Sequence, residues 1–154
     1  SLHKDIAIAA LKANKHVYCE KPLAPTLKET QEMREASKRT NKKTQVGFNY
    51  LSNPMFSTAK EIISSGDLGV ITNFRGIHAE DYMSDPDSVY TWRHNPVGGG
   101  VLADLGSHIL ATAEFLLGPS SEVLGDCVTV IPSRKNCEGV TKEIRVDDIS
   151  RFSR

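Results

Sequence analysis

The chain has 154 residues, 39% of them hydrophobic, and its 19 basic and 19 acidic side chains give a formal net charge of zero. That length supports one respectable core or two part-domains. A balanced charge, no basic run longer than Lys42-Lys43 and no apolar run near the roughly 20 residues of a membrane span argue against nucleic acid and membrane as partners.

Taken in chain order, Asp5 to Ala13 is expected to be helical. Ile6, Ala9, Ala10 and Ala13 recur on one face, and Asn14-Lys15 follows as a turn. His16-Val17-Tyr18-Cys19 reads as a short strand stopped by Pro22, which has no amide hydrogen for a ladder. Cys19, Cys127 and Cys137 make an odd count without C-x-x-C spacing, which argues against a disulfide framework or a zinc site. They read as reduced thiols in a cytoplasmic protein, with Cys19 buried in its strand. Thr26 and Glu29 have capping-box spacing and open a charged helix to about Arg39. Thr44 to Tyr50 reads as a second strand. Strand, helix and strand in succession mark a parallel α/β sheet. One or two such strands would be poorly covered, so further strands are expected upstream. The opening Ser1-Leu2-His3, without an initiator methionine, fits that expectation.

From Pro54 the rhythm changes. Phe56, Ala59, Ile62 and Ile63 line a helix face, and Gly66 suits the position after its end. Val70 to Ala79 is expected to be a strand, and Asp81 to Pro96 an irregular stretch carrying Tyr82, Tyr90 and Trp92. Another helix is expected from about Ala103 to Leu117, striped by Leu105, Ile109, Ala113 and Leu116 and ended by Gly118-Pro119. Val123 to Ile131, Thr141 to Val146 and Ile149 to Phe152 read as strands. Without strict alternation this part is expected to be α+β, with the division near residues 50 to 54. A sheet that stops at Arg154 would expose an unpaired edge, so the chain reads as a fragment at both ends.

Three places could carry chemistry. Lys21 falls at the C-terminal end of a strand, the edge where open α/β sheets bind ligands. Pro22 restricts Lys21 to extended geometry. A lysine held there could neutralise a developing alkoxide or bond a ribose; a solvated lysine paired with Glu20 is the plainer alternative. Asp104 and His108 lie four residues apart, just after Gly98-Gly99-Gly100, and share a helix face. A neutral imidazole can accept a hydroxyl proton, and a carboxylate one turn away can orient it or raise its proton affinity. The plainer alternative has Asp104 capping the helix and His108 packed on the core side. The glycines would let the helix start close to a ligand, although they lack the spacing of a dinucleotide fingerprint. Trp92-Arg93 offers stacking and phosphate recognition, against a packed tryptophan anchoring a loop beside an exposed arginine. His3, His16, His78 and His94 have no metal-like spacing, and no metal site is expected. His78, with Glu80 and Asp81 nearby, reads as an exposed strand end.

Together, Lys15-His16-Val17-Tyr18-Cys19-Glu20-Lys21-Pro22-Leu23, Gly47-Phe48-Asn49-Tyr50, Trp92-Arg93 and Gly98 through His108 with Leu116-Leu117-Gly118 resemble the Gfo/Idh/MocA oxidoreductase family. This is the family of glucose–fructose oxidoreductase and inositol dehydrogenase. The resemblance runs from residue 3 to about 152, and Lys15 to Leu23 is its most specific part. It implies α/β plus α+β architecture. Residues 1–51 would be the tail end of a Rossmann domain. Residues 52–154 would be an incomplete open antiparallel-sheet domain with helices on one face.

The resemblance also implies roles. His108 would be the general acid/base and Asp104 its helper. Lys21 would contact the nicotinamide ribose and the substrate hydroxyl. Glu20 and Pro22 would shape the cofactor edge, Trp92 and Arg93 would approach the nicotinamide, and Asn49 and Tyr50 would face the substrate. The implied cofactor is NAD or NADP, and the implied substrate a sugar, polyol or related secondary alcohol. The implied assembly is a homo-oligomer through the antiparallel sheet. The glycine-rich fingerprint and its downstream acid are not in this chain, so the activity is expected of the whole protein and this stretch alone is expected to be inactive. A cofactor-binding regulator, an NAD-dependent glycosidase of the same family and a non-catalytic assembly module are the other readings. Lys21, Asp104 and His108 together argue against a pure sensor, which needs no proton relay.

Overall fold

The structure, a computed structural model, describes residues 2–153. The chain divides into two compact units, residues 1–48 and 49–154.

The first unit runs α1 (His3–Lys12), β1 (Val17–Glu20), α2 (Leu27–Lys38) and β2 (Thr44–Gly47). The two strands pair in parallel, Val17 opposite Thr44 and Glu20 opposite Gly47. Ala7 from α1, Cys19 from β1 and Met33 from α2 form the buried core, with Ile8, Val17, Leu23 and Ala24 packed on it. Burial pushes the Cys19 thiol up, and the neighbouring Glu20 charge adds to the shift. Thr26 caps α2: its hydroxyl accepts the Glu29 amide at 3.3 Å and donates to the Glu29 carboxylate at 3.0 Å. His16 fixes the start of the ladder, its Nδ1 accepting the Lys43 amide at 2.9 Å.

The second strand is shorter than the sequence suggests. It stops at Gly47, the Phe48 amide folds back onto the Val46 carbonyl at 2.9 Å, and Asn49–Ser52 form a 3-10 turn. Asn49 and Tyr50 therefore sit on a turn and not on a strand end.

The second unit contains α3 (Pro54–Ser65), α4 (Ser107–Leu117), β3 (Leu124–Val128), β4 (Ser133–Lys135), β5 (Thr141–Glu143) and β6 (Ile149–Ser153). Asn53 caps α3 through the Met55 amide at 3.0 Å, and Gly66 ends it at φ 83°. β3 pairs antiparallel with β6, and β4 antiparallel with β5. β4 has no counterpart in the sequence reading. It exists because the Asn136 side chain accepts the Glu138 and Val140 amides, at 3.1 and 2.9 Å, and closes a hairpin.

The strand expected at Val70–Ala79 does not form. An extended segment becomes a strand only beside a neighbour that satisfies its backbone, and no ladder partner runs beside this one among the described residues. No helix among the described residues is long and apolar enough to cross a membrane.

Candidate active site

In the first unit, Lys21 directly follows β1 at the C-terminal end of the parallel pair, and the Lys21–Pro22 peptide is cis. Glu20 ends the strand opposite Gly47. A Cβ at position 47 would lie 2.9 Å from the Glu20 carboxyl carbon and both its oxygens. Glycine at 47 thus leaves that edge to the carboxylate. A carboxylate accepts hydroxyl hydrogens and a lysine donates to oxygen, so this strand end has the donor and acceptor chemistry of a ribose contact.

In the second unit His108 is 8% exposed, on the first turn of α4. Tyr50 lies against it at 4.5 Å between ring centroids. His78 joins the same group, 5.7 Å from Tyr50 and 6.0 Å from His108. Its Nε2 is 3.2 Å from Glu80 Oε1. The reading of His78 as an exposed strand end is thereby corrected. No strand forms there, and its side chain is 17% exposed because Tyr50 and His108 pack against it.

Asp104 sits four residues before His108, but not on a regular helix. Leu102–Gly106 form a π-helical turn, in which the Ser107 amide reaches back to the Leu102 carbonyl, and α4 proper begins at Ser107. The Asp104 carboxylate accepts Arg93 Nε at 2.9 Å and the Tyr82 hydroxyl at 3.0 Å. Burial pushes the Tyr82 phenol up, and the Asp104 charge pushes it further. Burial is the largest single influence on Arg93 and opposes its charge, but the bond to Asp104 and the contacts with Tyr82 and Asp104 together outweigh it, and the guanidinium holds its proton more tightly. The structure thus joins two of the expected site residues, Arg93 and Asp104, in one ion pair.

Trp92 and Arg93 reverse the plainer expectation. The indole is 59% exposed, while the guanidinium stacks 4.4 Å from the Trp92 centroid and 5.2 Å from that of Tyr82. The glycine triplet packs against protein. A Cβ on Gly99 would collide with the Arg93 and Asn95 carbonyls, and one on Gly100, at φ 91°, with the Asp147 carboxylate. The close approach that these glycines permit is to the Trp92–His94 turn and the segment before β6.

A cavity of about 300 Å³ opens beside this group, lined by Tyr82, Met83, Arg93, Asp104 and Asp147 among others. A larger one, about 490 Å³, lies between α1 and α2, lined by Ile8, Leu11, Lys28 and Arg39 among others. It holds none of the chemically distinctive residues, so size does not mark the site here. Among the described residues no group of three or more His, Cys, Asp or Glu is placed to hold a metal ion.

Sequence reasoning missed His78, Tyr82 and Arg134. Arg134, 2% exposed, donates to the carbonyls of Asp85 and Met83, each at 2.6 Å, and to the Ser88 carbonyl at 3.2 Å and hydroxyl. It ties β4 to the loop that follows Tyr82. In sequence it looks like half of a solvated Arg134-Lys135 pair, and no local signal marks it as buried.

The family comparison agrees with this architecture. Residues 56–152 match the GFO/IDH/MocA C-terminal domain, and residues 1–48 match the oxidoreductase family domain described as an NAD-binding Rossmann fold. The chain belongs to the Gfo/Idh/MocA oxidoreductase family. It is 42% identical over 135 residues to levoglucosan dehydrogenase of Pseudarthrobacter phenanthrenivorans, a match covering 86% of this chain and 35% of the relative. Glucose-6-phosphate 3-dehydrogenase of Bacillus subtilis is 29% identical over 153 residues, 97% of this chain and 43% of the relative. Among solved structures, levoglucosan dehydrogenase in complex with NADH and L-sorbose superposes with a TM-score of 0.93 at 39% identity, covering 98% of this chain and 41% of that one. An NAD binding oxidoreductase from Klebsiella pneumoniae gives 0.93 at 40% identity, with the same coverage. The chain therefore spans about a third to two fifths of the length of these relatives.

Proposed function

We propose that the whole protein containing this chain is an NAD(P)-dependent dehydrogenase of a sugar, polyol or related secondary alcohol. The observation that carries the proposal is the buried His108, walled by Tyr50 and His78, one π-helical turn after an ion-paired Asp104. A buried imidazole beside a hydroxyl-bearing ring and a fixed carboxylate is equipped to take a proton from an alcohol.

His108 accepts the hydroxyl proton. Asp104, held by Arg93 and Tyr82, supplies the negative charge that favours the imidazolium. Lys21 stabilises the developing alkoxide by positive charge aimed at the oxygen, a large term in such reactions. Asn49 and Tyr50 face the substrate. Glu20, Lys21 and Pro22 bind the ribose side of the cofactor, and Trp92 and Arg93 approach its nicotinamide. The cofactor supplies hydride acceptance. Likeness to levoglucosan dehydrogenases bound to NADH supports NAD, and likeness to a levoglucosan-bound structure and to inositol 2-dehydrogenase supports a cyclic polyol or sugar. The exposed β3 strand, with Leu124 76% and Val128 37% exposed, supports an oligomer contact through the antiparallel sheet.

The test is turnover by the whole protein. Wild type is expected to reduce NAD⁺ with at least one member of a sugar and polyol panel. Lys21→Ala and His108→Ala are each expected to lower kcat/KM by about a hundredfold or more. Wild-type rates in both variants would refute the assignment.

A further inference from the structure

The dehydrogenase reading leaves one step without a carrier. His108 is 8% exposed, so a proton it has taken from an alcohol must be passed on before the next turnover. We propose that His78 and Glu80 form the exit, carrying that proton from His108 to solvent. The inference rests on the dehydrogenase reading above.

The geometry sets the order of the three groups. His78 and His108 are 6.0 Å apart between ring centroids, too far for a direct hydrogen bond and within reach of one bridging water between ring nitrogens. On its far side, His78 Nε2 meets Glu80 Oε1 at 3.2 Å. Exposure rises along this line, with the His78 side chain 17% and the Glu80 side chain 42% exposed. The groups facing His78 are Glu80 on its own segment, Tyr50 from the 3-10 turn and His108 from α4. Among them only His108 is placed to give His78 a proton during alcohol oxidation, and only Glu80 is placed to take one onward.

The step balances. The alcohol O–H bond breaks as an N–H bond forms on His108. That bond breaks as the proton passes to a bridging water, which gives one of its own protons to His78 Nδ1; the Nε2 proton of His78 passes to the Glu80 carboxylate and then to water or a buffer base. No electrons move in the relay, and reduction of a ketone runs it in reverse. His78 acts through His108 and is a positioning residue for the proton.

The experiment compares first-turnover and steady-state rates of the whole protein with NAD⁺ and an accepted polyol at low buffer concentration. His78→Gln is expected to retain a first-turnover burst of reduced cofactor and then to turn over about tenfold more slowly than wild type. Added imidazole should restore the steady-state rate. Glu80→Gln, on an exposed side chain, should show the same pattern more weakly, so a folding defect at position 78 would not decide the matter. Steady-state rates equal to wild type in both variants would overturn the relay, as would a loss that imidazole leaves unchanged. Wild type that turns over no polyol would overturn both the relay and the dehydrogenase reading. Wild type that turns over beside insensitive variants would overturn the relay alone.

Discussion

The two units bury different things. The buried side chains of the first are Ala7, Leu11, Cys19 and Met33, all apolar. The second buries Ala113 and Ile144, and with them His94, His108 and Arg134. Burying an ionisable group costs free energy unless its hydrogen bonds are replaced. The second unit replaces many of them: Arg134 Nη1 and Nη2 donate to the carbonyls of Met83, Asp85 and Ser88, and His94 Nδ1 accepts the Thr91 amide at 2.8 Å. The first unit presents Glu20 and Lys21 on a strand end fixed by a backbone ladder. The second fixes its chemical groups by side-chain bonds that reach across loops. Stability and site geometry should therefore be separable in the first unit and coupled in the second.

The largest expected effect is at Arg134. Arg134→Ala removes the donor to three carbonyls and a hydroxyl in a buried setting, and should lower stability by about 3 kcal/mol or more. It should also reduce turnover, because the loop it ties down begins beside Tyr82. Lys21→Ala in the first unit should lower kcat/KM by about a hundredfold or more with a much smaller change in unfolding midpoint than Arg134→Ala. Urea unfolding and turnover measured on both variants check the contrast. A stable but inactive Arg134→Ala protein would break it.

Two glycines sharpen the same comparison. Gly100 has φ 91°, and its Cβ would meet the Asp147 carboxylate, which already binds the Leu102 amide at 2.7 Å. Gly100→Ala should cost about 2 kcal/mol or more, since neither the backbone nor a bonded carboxylate gives way easily. For Gly47→Ala the nearest atoms are the end of the Glu20 side chain. Glu20 can swing aside, so the cost should be about 1 kcal/mol or less, with the effect appearing in cofactor affinity. Equal losses of stability at the two positions would remove the distinction. Tyr82→Phe is smaller still. It takes one of two described donors from Asp104 and should cost about 1 kcal/mol, with turnover falling more than the midpoint does.

These contacts also show why some of the molecule could be read from its sequence and some could not. Thr26 with Glu29, and Gly66, are signals contained within one helix end, and the helices they bound form as expected. The Gly98-Gly99-Gly100 triplet and the Asp104/His108 spacing single out one neighbourhood of the chain, but not the residues that pair with it. Arg93 meets Asp104 from eleven residues away, and Arg134 meets Asp85 from 49 away. Such pairings depend on how loops return, which carries no periodicity. The π-helical turn at Leu102–Gly106 has the same origin: the apolar stripe of α4 continues through it without a break in pattern. At Val70–Ala79 a strand is expected from sequence, but a strand also needs a neighbour, and that lies outside any local window.

His94 carries the smallest predicted effect, and its sign follows from its surroundings. Burial lowers its proton affinity most, and the charge of Arg134 and then that of Arg93 push the same way; the Asp148 charge opposes them. The folded chain thus holds the neutral ring, while the unfolded chain protonates at the ordinary value of about 6.5. Above that value both states are neutral at this residue, and its contribution is fully present. As pH falls below it, the unfolded state gains the proton first, and stability declines until the folded value is reached. Among the described residues the first unit buries no histidine, so this loss should belong to the second. Urea unfolding of the whole protein at pH values on either side of 6.5 should show the decline. His94→Gln keeps an acceptor for the Thr91 amide but cannot titrate, and should flatten the acid limb while costing some stability at every pH. An unchanged acid slope in that variant would show that the buried imidazole is not the group responsible.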